Sequence, residues 1–149
     1  MRKLHYTYDL FITDTKLLVE KSKDFNPEII LAVARGGLTL SHFMAQAMNI
    51  RNLFSLNSIH YNDETKLDTF DISNIPDLFK AKKVLIVDDI VDSGETMVEI
   101  LKILNNKFPN IEFKIATLFY KKSALIQPDF TVNEADCWID FFWEVDIQK

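Results

Sequence analysis

Cysteine is almost missing from this chain: Cys137 stands alone among 149 residues, so no internal disulfide can form. That usage fits a reducing compartment. A surplus of positive charge is missing as well. Seventeen Lys and Arg face 22 Asp and Glu, a net charge of -5, which argues against broad nucleic-acid binding because phosphates need a basic face. A local basic pocket for a phosphorylated metabolite remains compatible with that balance. Long apolar runs are absent too. The longest clean one, Ile29 to Ala34, falls far short of a membrane span. The opening "MRKLHYTYDLF" has two basic residues but no apolar stretch behind them, so no secretory signal is expected. With three glycines and four prolines there is no low-complexity tract and no linker. What is left is a soluble, cytoplasmic, single-domain chain over 1–149, long enough to bury a substantial core.

Two segments read as strand, glycine-containing loop and helix. "IILAV" (Ile29–Val33) leads through Ala34-Arg35-Gly36-Gly37 into a stretch with Leu40, Phe43, Met44 and Ala47 on one face. "VLIV" (Val84–Val87) leads through "DDIVDSGE" into Met97, Ile100, Leu101 and Leu104, spaced i, i+3, i+4 and i+7. Uninterrupted apolar strands are expected where both faces are covered, as in a parallel sheet between helices. "IEFKIATLFY" (Ile111–Tyr120) predicts a third strand, and Asn26-Pro27 and Phe108-Pro109-Asn110 are breakers before strands. The spacing of Leu10, Leu17 and Leu18 predicts a helix from about Thr7 to Ser22. Residues 60–80, largely polar and turn-rich, with Leu67, Phe70 and Ile72 among the apolar exceptions, read as a long mobile excursion. The expected fold class is α/β, doubly wound around a mostly parallel sheet.

In such sheets ligands bind beyond the carboxyl ends of the strands, at helix N-termini. Asp88 and Asp89 stand at such an end. Successive strand side chains alternate in direction, so each acid needs its own partner: a sugar hydroxyl, a metal-bound water or an amide. Left unpaired roughly 4 Å apart, two carboxylates repel by about 4 kcal/mol at an effective dielectric of about 20. Val91-Asp92-Ser93-Gly94-Glu95-Thr96 joins a small turn, two hydroxyls and a helix start, the composition of a phosphate cradle. No Lys follows the glycine, which excludes a P-loop. Singly, Asp88 and Asp92 are ordinary turn formers, and Ser93 or Glu95 an ordinary helix cap. The combination is specific. "VLIVDDIVDSGETM" resembles the phosphoribosyl pyrophosphate (PRPP) motif of type I phosphoribosyltransferases. The resemblance implies that Asp88 and Asp89 hold ribose hydroxyls directly or through Mg2+, with Asp89 as the metal residue, and that the loop from Val91 to Thr96 binds the 5′-phosphate.

"LAVARGGL" (Leu31–Leu38) resembles the pyrophosphate loop of the same family. Gly36 and Gly37 would let backbone approach an anion, and Arg35 supplies positive charge. The resemblance also implies a cis peptide at Ala34-Arg35. "LFYKKSALIQPDFTVNEADCWIDFFWE" (Leu118–Glu144) is similar to the base-binding end of bacterial xanthine-guanine phosphoribosyltransferases. It implies that Lys121 donates to a purine 6-oxo group, Trp138 stacks on the ring and the Ile139 backbone meets the exocyclic edge. Lys122 is an alternative donor, and core packing is the other reading of Trp138 and Trp143. A small hood is implied, with Lys66 as a cationic contact to pyrophosphate. The chain departs from the pattern at Glu95, where a small residue is common, and at Phe141-Phe142, which replaces a polar residue and proline.

The implied activity is purine salvage: transfer of 5-phosphoribosyl from Mg-PRPP to a 6-oxopurine, with Arg35 and Lys66 facing the leaving group and Asp92 managing a proton on the base. A homodimer or homotetramer is the implied assembly. Two other readings stay open, a PRPP- or nucleotide-sensing regulator on the same fold and a transferase for another base. A phosphoacceptor receiver domain fits poorly, because its acidic pair follows the first strand and here the pair lies at 88–89. His5, His42 and His60 carry no assignment.

Overall fold

A computed structural model describes residues 2–61 and 69–148. In chain order its elements are β1 (Lys3–Tyr6), α1 (Tyr8–Ser22), β2 (Ile29–Ala34), α2 (Leu38–Met48), β3 (Leu53–Tyr61), β4 (Thr69–Ser73), β5 (Lys83–Val91), α3 (Glu95–Lys107), β6 (Glu112–Tyr120), β7 (Phe130–Glu134) and β8 (Trp138–Phe141). Six strands form one sheet in the order β4-β3-β2-β5-β6-β7. All neighbours are parallel except β3 and β4. The doubly wound α/β expectation holds.

The apolar runs explain the layering. Along β2, Ile30 packs with α1 and α2 residues such as Phe11, Leu18, Leu40 and Met44, while Ile29, Leu31 and Val33 pack with Met97, Ile100 and Leu104 of α3. β5 divides likewise, with Leu85 and Val87 on the first side and Val84 and Ile86 on the second. A strand whose side chains alternate between two apolar layers must be apolar at every position. That is why these two runs are continuous.

Three expectations need correction. α1 starts at the predicted place, with Thr7 Oγ1 accepting the Leu10 amide at 3.3 Å. Its buried face, however, is Phe11, Thr15, Leu18 and Ser22, whereas Leu10 and Leu17 are 44% and 46% exposed. The helical stripe passes through small polar residues, which an apolar count overlooks. In α2 the buried residues are Leu40, Ser41, Met44 and Ala45, with Ala47 exposed.

The predicted excursion over 60–80 is, in its described part, largely ordered. β4 pairs antiparallel with the end of β3, Leu78 is buried, and Ile72 and Ile75 pack on the α3 side. Finally, β1 and β8 form a separate two-stranded parallel sheet, with Leu4 opposite Ile139. This small sheet joins residues more than 130 positions apart, a long-range pairing that local pattern does not encode. It carries the C-terminal site residues.

Candidate active site

β5 delivers the acids. Asp88 stands opposite Thr117 on β6, and each carboxylate accepts the next amide along: Asp89 N–H to Asp88 Oδ1 at 2.8 Å, Ile90 N–H to Asp89 Oδ1 at 2.7 Å. Drawn forward in this way, both acids reach one cavity of about 250 Å³ although their positions alternate along the strand. Both carboxyls are pushed above the ordinary range, chiefly by loss of solvent, and Asp88 carries the added repulsion of Asp89. Charging both acids is therefore costly at this site, and a cation or hydroxyl donors would offset that cost.

The loop after β5 completes the same cavity with Val91, Asp92, Ser93, Gly94 and Thr96. Ser93 Oγ accepts the Glu95 amide at 3.2 Å, and Val98 N–H to the Gly94 carbonyl at 2.9 Å is an early α3 bond. Amides in the first helical turn lack intrahelical acceptors and can meet an anion. Glu95 does not line the cavity; its half-buried side chain belongs to the first turn of α3. Gly94 has φ +85°, and a Cβ there would sit 2.9 Å from the Leu125 amide nitrogen. The loop is pinned by that neighbour, since Leu125 N–H donates to the Ser93 carbonyl at 2.8 Å.

The β2–α2 loop faces it. Ala34, Arg35 and Gly36 line the cavity, and the Ala34-Arg35 peptide is cis. The two glycines serve the protein's own packing rather than only an approaching anion. A Cβ on Gly36 would lie 2.6 Å from Asp89 Oδ2, and one on Gly37 would overlap the Val87 carbonyl oxygen and come within 3.0 Å of Asp88 Cα. Gly37 sits beneath the cavity as the N-cap of α2. The glycines let the two loops touch.

A second cavity of about 470 Å³ adjoins the first, sharing Asp89, Ile90 and Asp92. Its further walls include Lys121, Cys137, Trp138, Ile139, Phe141 and Glu144. Lys121 Nζ pairs with Asp92 Oδ1 at 2.7 Å, whereas Lys122 turns to Glu134 at 3.5 Å. Of the two lysines, Lys121 is therefore the one at the cavity. The tryptophans divide. Trp138 is 59% exposed at the cavity, while Trp143 stacks on Phe141 with centroids 4.7 Å apart and packs on Phe11. Glu144 is raised by partial burial and by the nearby Asp89 and Asp140.

Sequence reasoning missed Ser58 and His60, which line the first cavity from β3, and Cys137, Phe141 and Glu144 in the second cavity. No local signal marks them, because they arrive through strand register. Lys66 lies outside the described residues. Among the described residues no three His, Cys, Asp or Glu come together as an all-protein metal site. No helix there is long and apolar enough to cross a membrane.

Comparison with known proteins agrees with this geometry. Residues 10–149 match the model of the phosphoribosyl transferase domain. A Helicobacter pylori xanthine-guanine-hypoxanthine phosphoribosyltransferase structure superposes with a TM-score of 0.91 at 39% identity, covering 99% of this chain and 97% of that one. The xanthine-guanine phosphoribosyltransferase of Idiomarina loihiensis is 30% identical over 119 residues, 78% of this chain and 70% of that protein. A Neisseria gonorrhoeae protein of no stated activity, solved with bound ppGpp, superposes with a TM-score of 0.80 at 25% identity, covering 99% of this chain and 92% of that one. With nearly the whole chain matched by that domain and the fold shared along its full length, the chain belongs to the phosphoribosyltransferase family.

Proposed function

We propose that the protein transfers the 5-phosphoribosyl group of PRPP to a 6-oxopurine, giving the nucleoside 5′-monophosphate and pyrophosphate. The observation that carries this reading is the junction of the two cavities at Asp89, Ile90 and Asp92. A ligand filling both would place a phosphorylated pentose over the acids and a flat base between Lys121 and Trp138, with the new bond formed between them. The imidazole nitrogen of the base attacks the anomeric carbon as its bond to the diphosphate oxygen breaks. Arg35 faces the departing diphosphate. Asp92 takes or holds the proton of the attacking nitrogen, and Lys121 reads the 6-oxo group.

The donor set suits magnesium. Two carboxylates raised by desolvation offer hard oxygen ligands, and Mg2+ is commonly held by one or two carboxylates together with substrate phosphates. Asp89 is the protein residue that would hold it. The ion would offset charge on the diphosphate. Within this reading the protein works in the cytoplasm as a homodimer or homotetramer, checked by light scattering on purified protein.

The test is product analysis by mass spectrometry after mixing protein, Mg-PRPP and a panel of guanine, xanthine, hypoxanthine, adenine and uracil. Nucleotide formed from the 6-oxopurines is the expected result, and a preference for adenine would remove the Lys121 role. One observation favours a second reading, a nucleotide-sensing protein: the ppGpp-bound neighbour from Neisseria gonorrhoeae. A guanosine carrying two diphosphates offers a flat base for the larger cavity and anionic groups for the smaller one. Tight ppGpp binding with no product from any base would select it.

A further inference from the structure

β3 outruns its parallel neighbour. Its register with β2 ends at Ala34 opposite Asn57, so Ser58–Tyr61 project alongside the Arg35-Gly36 turn. Pairing with β4, from Asn57 opposite Ser73 to Tyr61 opposite Thr69, holds this projection as strand. Side chains two apart on a strand share a face. Ser58 and His60 accordingly line the first cavity together, with Arg35, Gly36, Asp88 and Asp89 on its other walls. The His60 ring lies on Phe70, its cross-strand partner, with centroids 4.5 Å and planes 14° apart. An apolar face thus orients the imidazole.

Among the described residues this cavity presents three carboxylates, Asp88, Asp89 and Asp92, and one arginine. A diphosphate brings further negative charge into it, and its oxygens need donors on the wall away from the acids. We infer that His60, with the Ser58 hydroxyl beside it, donates a hydrogen bond to the diphosphate of the donor substrate; this rests on the phosphoribosyl-transfer reading. Either imidazole nitrogen can carry an N–H that donates to a phosphate oxygen.

His60→Phe keeps a ring on Phe70 and removes the ring nitrogens. Initial rates against Mg-PRPP and guanine, with product inhibition by inorganic pyrophosphate, read the result. The variant is expected to raise the KM for PRPP and the inhibition constant of pyrophosphate about tenfold or more, the loss of a hydrogen bond to a charged group. Its KM for guanine and its thermal melt should stay near wild type, and His60→Asn, which retains a donor, should recover part of the loss. If His60→Phe folds poorly, His60→Leu takes its place. Unchanged PRPP and pyrophosphate constants in a folded variant overturn the inference. Wild-type protein that makes no nucleotide from PRPP overturns the transfer reading instead, and calorimetric titration of pyrophosphate into wild type and variant then decides the His60 contact by itself.

Discussion

Lys121 Nζ and Asp92 Oδ1 lie 2.7 Å apart on the wall of the larger cavity, so the two residues expected to handle the base meet each other. Their side chains are 41% and 64% exposed, and pairs this open to water add little stability. Under the proposed function the pair acts on the base, and the fold has little need of it. Asp92→Asn is expected to lower kcat by about 10²-fold or more while PRPP still binds. Lys121→Met should raise the KM for guanine and narrow its advantage over adenine. Neither variant should shift the melting temperature appreciably; steady-state kinetics and scanning fluorimetry check both points.

The buried acids predict an inverse link between pH and stability in the ligand-free protein. Burial raises the folded-state affinity of Asp88 and Asp89 for protons above that of the unfolded chain. Stability from this source is complete below the ordinary carboxylate range and declines as pH rises through the raised values. Asp88→Asn removes one charge and keeps an oxygen to accept the Asp89 amide. Its melting temperature should exceed wild type near neutral pH, and the gap should shrink toward about pH 4. Turnover should be lost. A variant less stable than wild type at neutral pH would contradict the argument.

The two adjacent glycines should fail differently. The atoms nearest a methyl group at Gly36 are those of the Asp89 carboxylate, a side-chain end that can shift where backbone cannot, so Gly36→Ala should weaken PRPP binding about tenfold with a small effect on folding. A methyl group at Gly37 meets backbone of β2 and β5 that cannot yield. Gly37→Ala should cost about 1–3 kcal/mol by chemical denaturation.

The two tryptophans supply a matched contrast. Trp138→Ala should raise the KM for the base in line with lost stacking of about 1–3 kcal/mol, leaving PRPP affinity and the melt nearly intact. Trp143 is embedded among Phe11, Phe141 and Phe142. Its replacement by Ala should cost about 3–5 kcal/mol of stability.

Much of the site could be read from order along the chain. Ile29–Ala34 and Val84–Val87 announce buried parallel strands because their immediate neighbours supply two apolar layers, and the loops that follow carry their chemistry in consecutive residues. Asp88, Asp89, Ser93, Gly94 and Thr96 are such a set, and the structure gathers them in one cavity. The leucine pattern of α1 misled because burial there depends on which face meets β7 and α2, which no residue in the helix specifies. Glu95 stands in the motif yet outside the cavity, since its direction depends on where the first turn of α3 begins.

By itself the sequence determined the α/β class, the two strand-loop-helix units and the acid, hydroxyl and glycine composition of their loops. Each of these is a local property, set by alternation, turn composition and contiguous charge. Only the tertiary structure decided which lysine lines the second cavity, which tryptophan is core, that Gly36 makes room for Asp89, and that Ser58 and His60 stand over the same cavity. Those facts depend on register between strands distant in the chain, above all the pairing of β1 with β8 and the reach of β3 beyond β2. Register is set by the packing of whole layers, and no single segment encodes it.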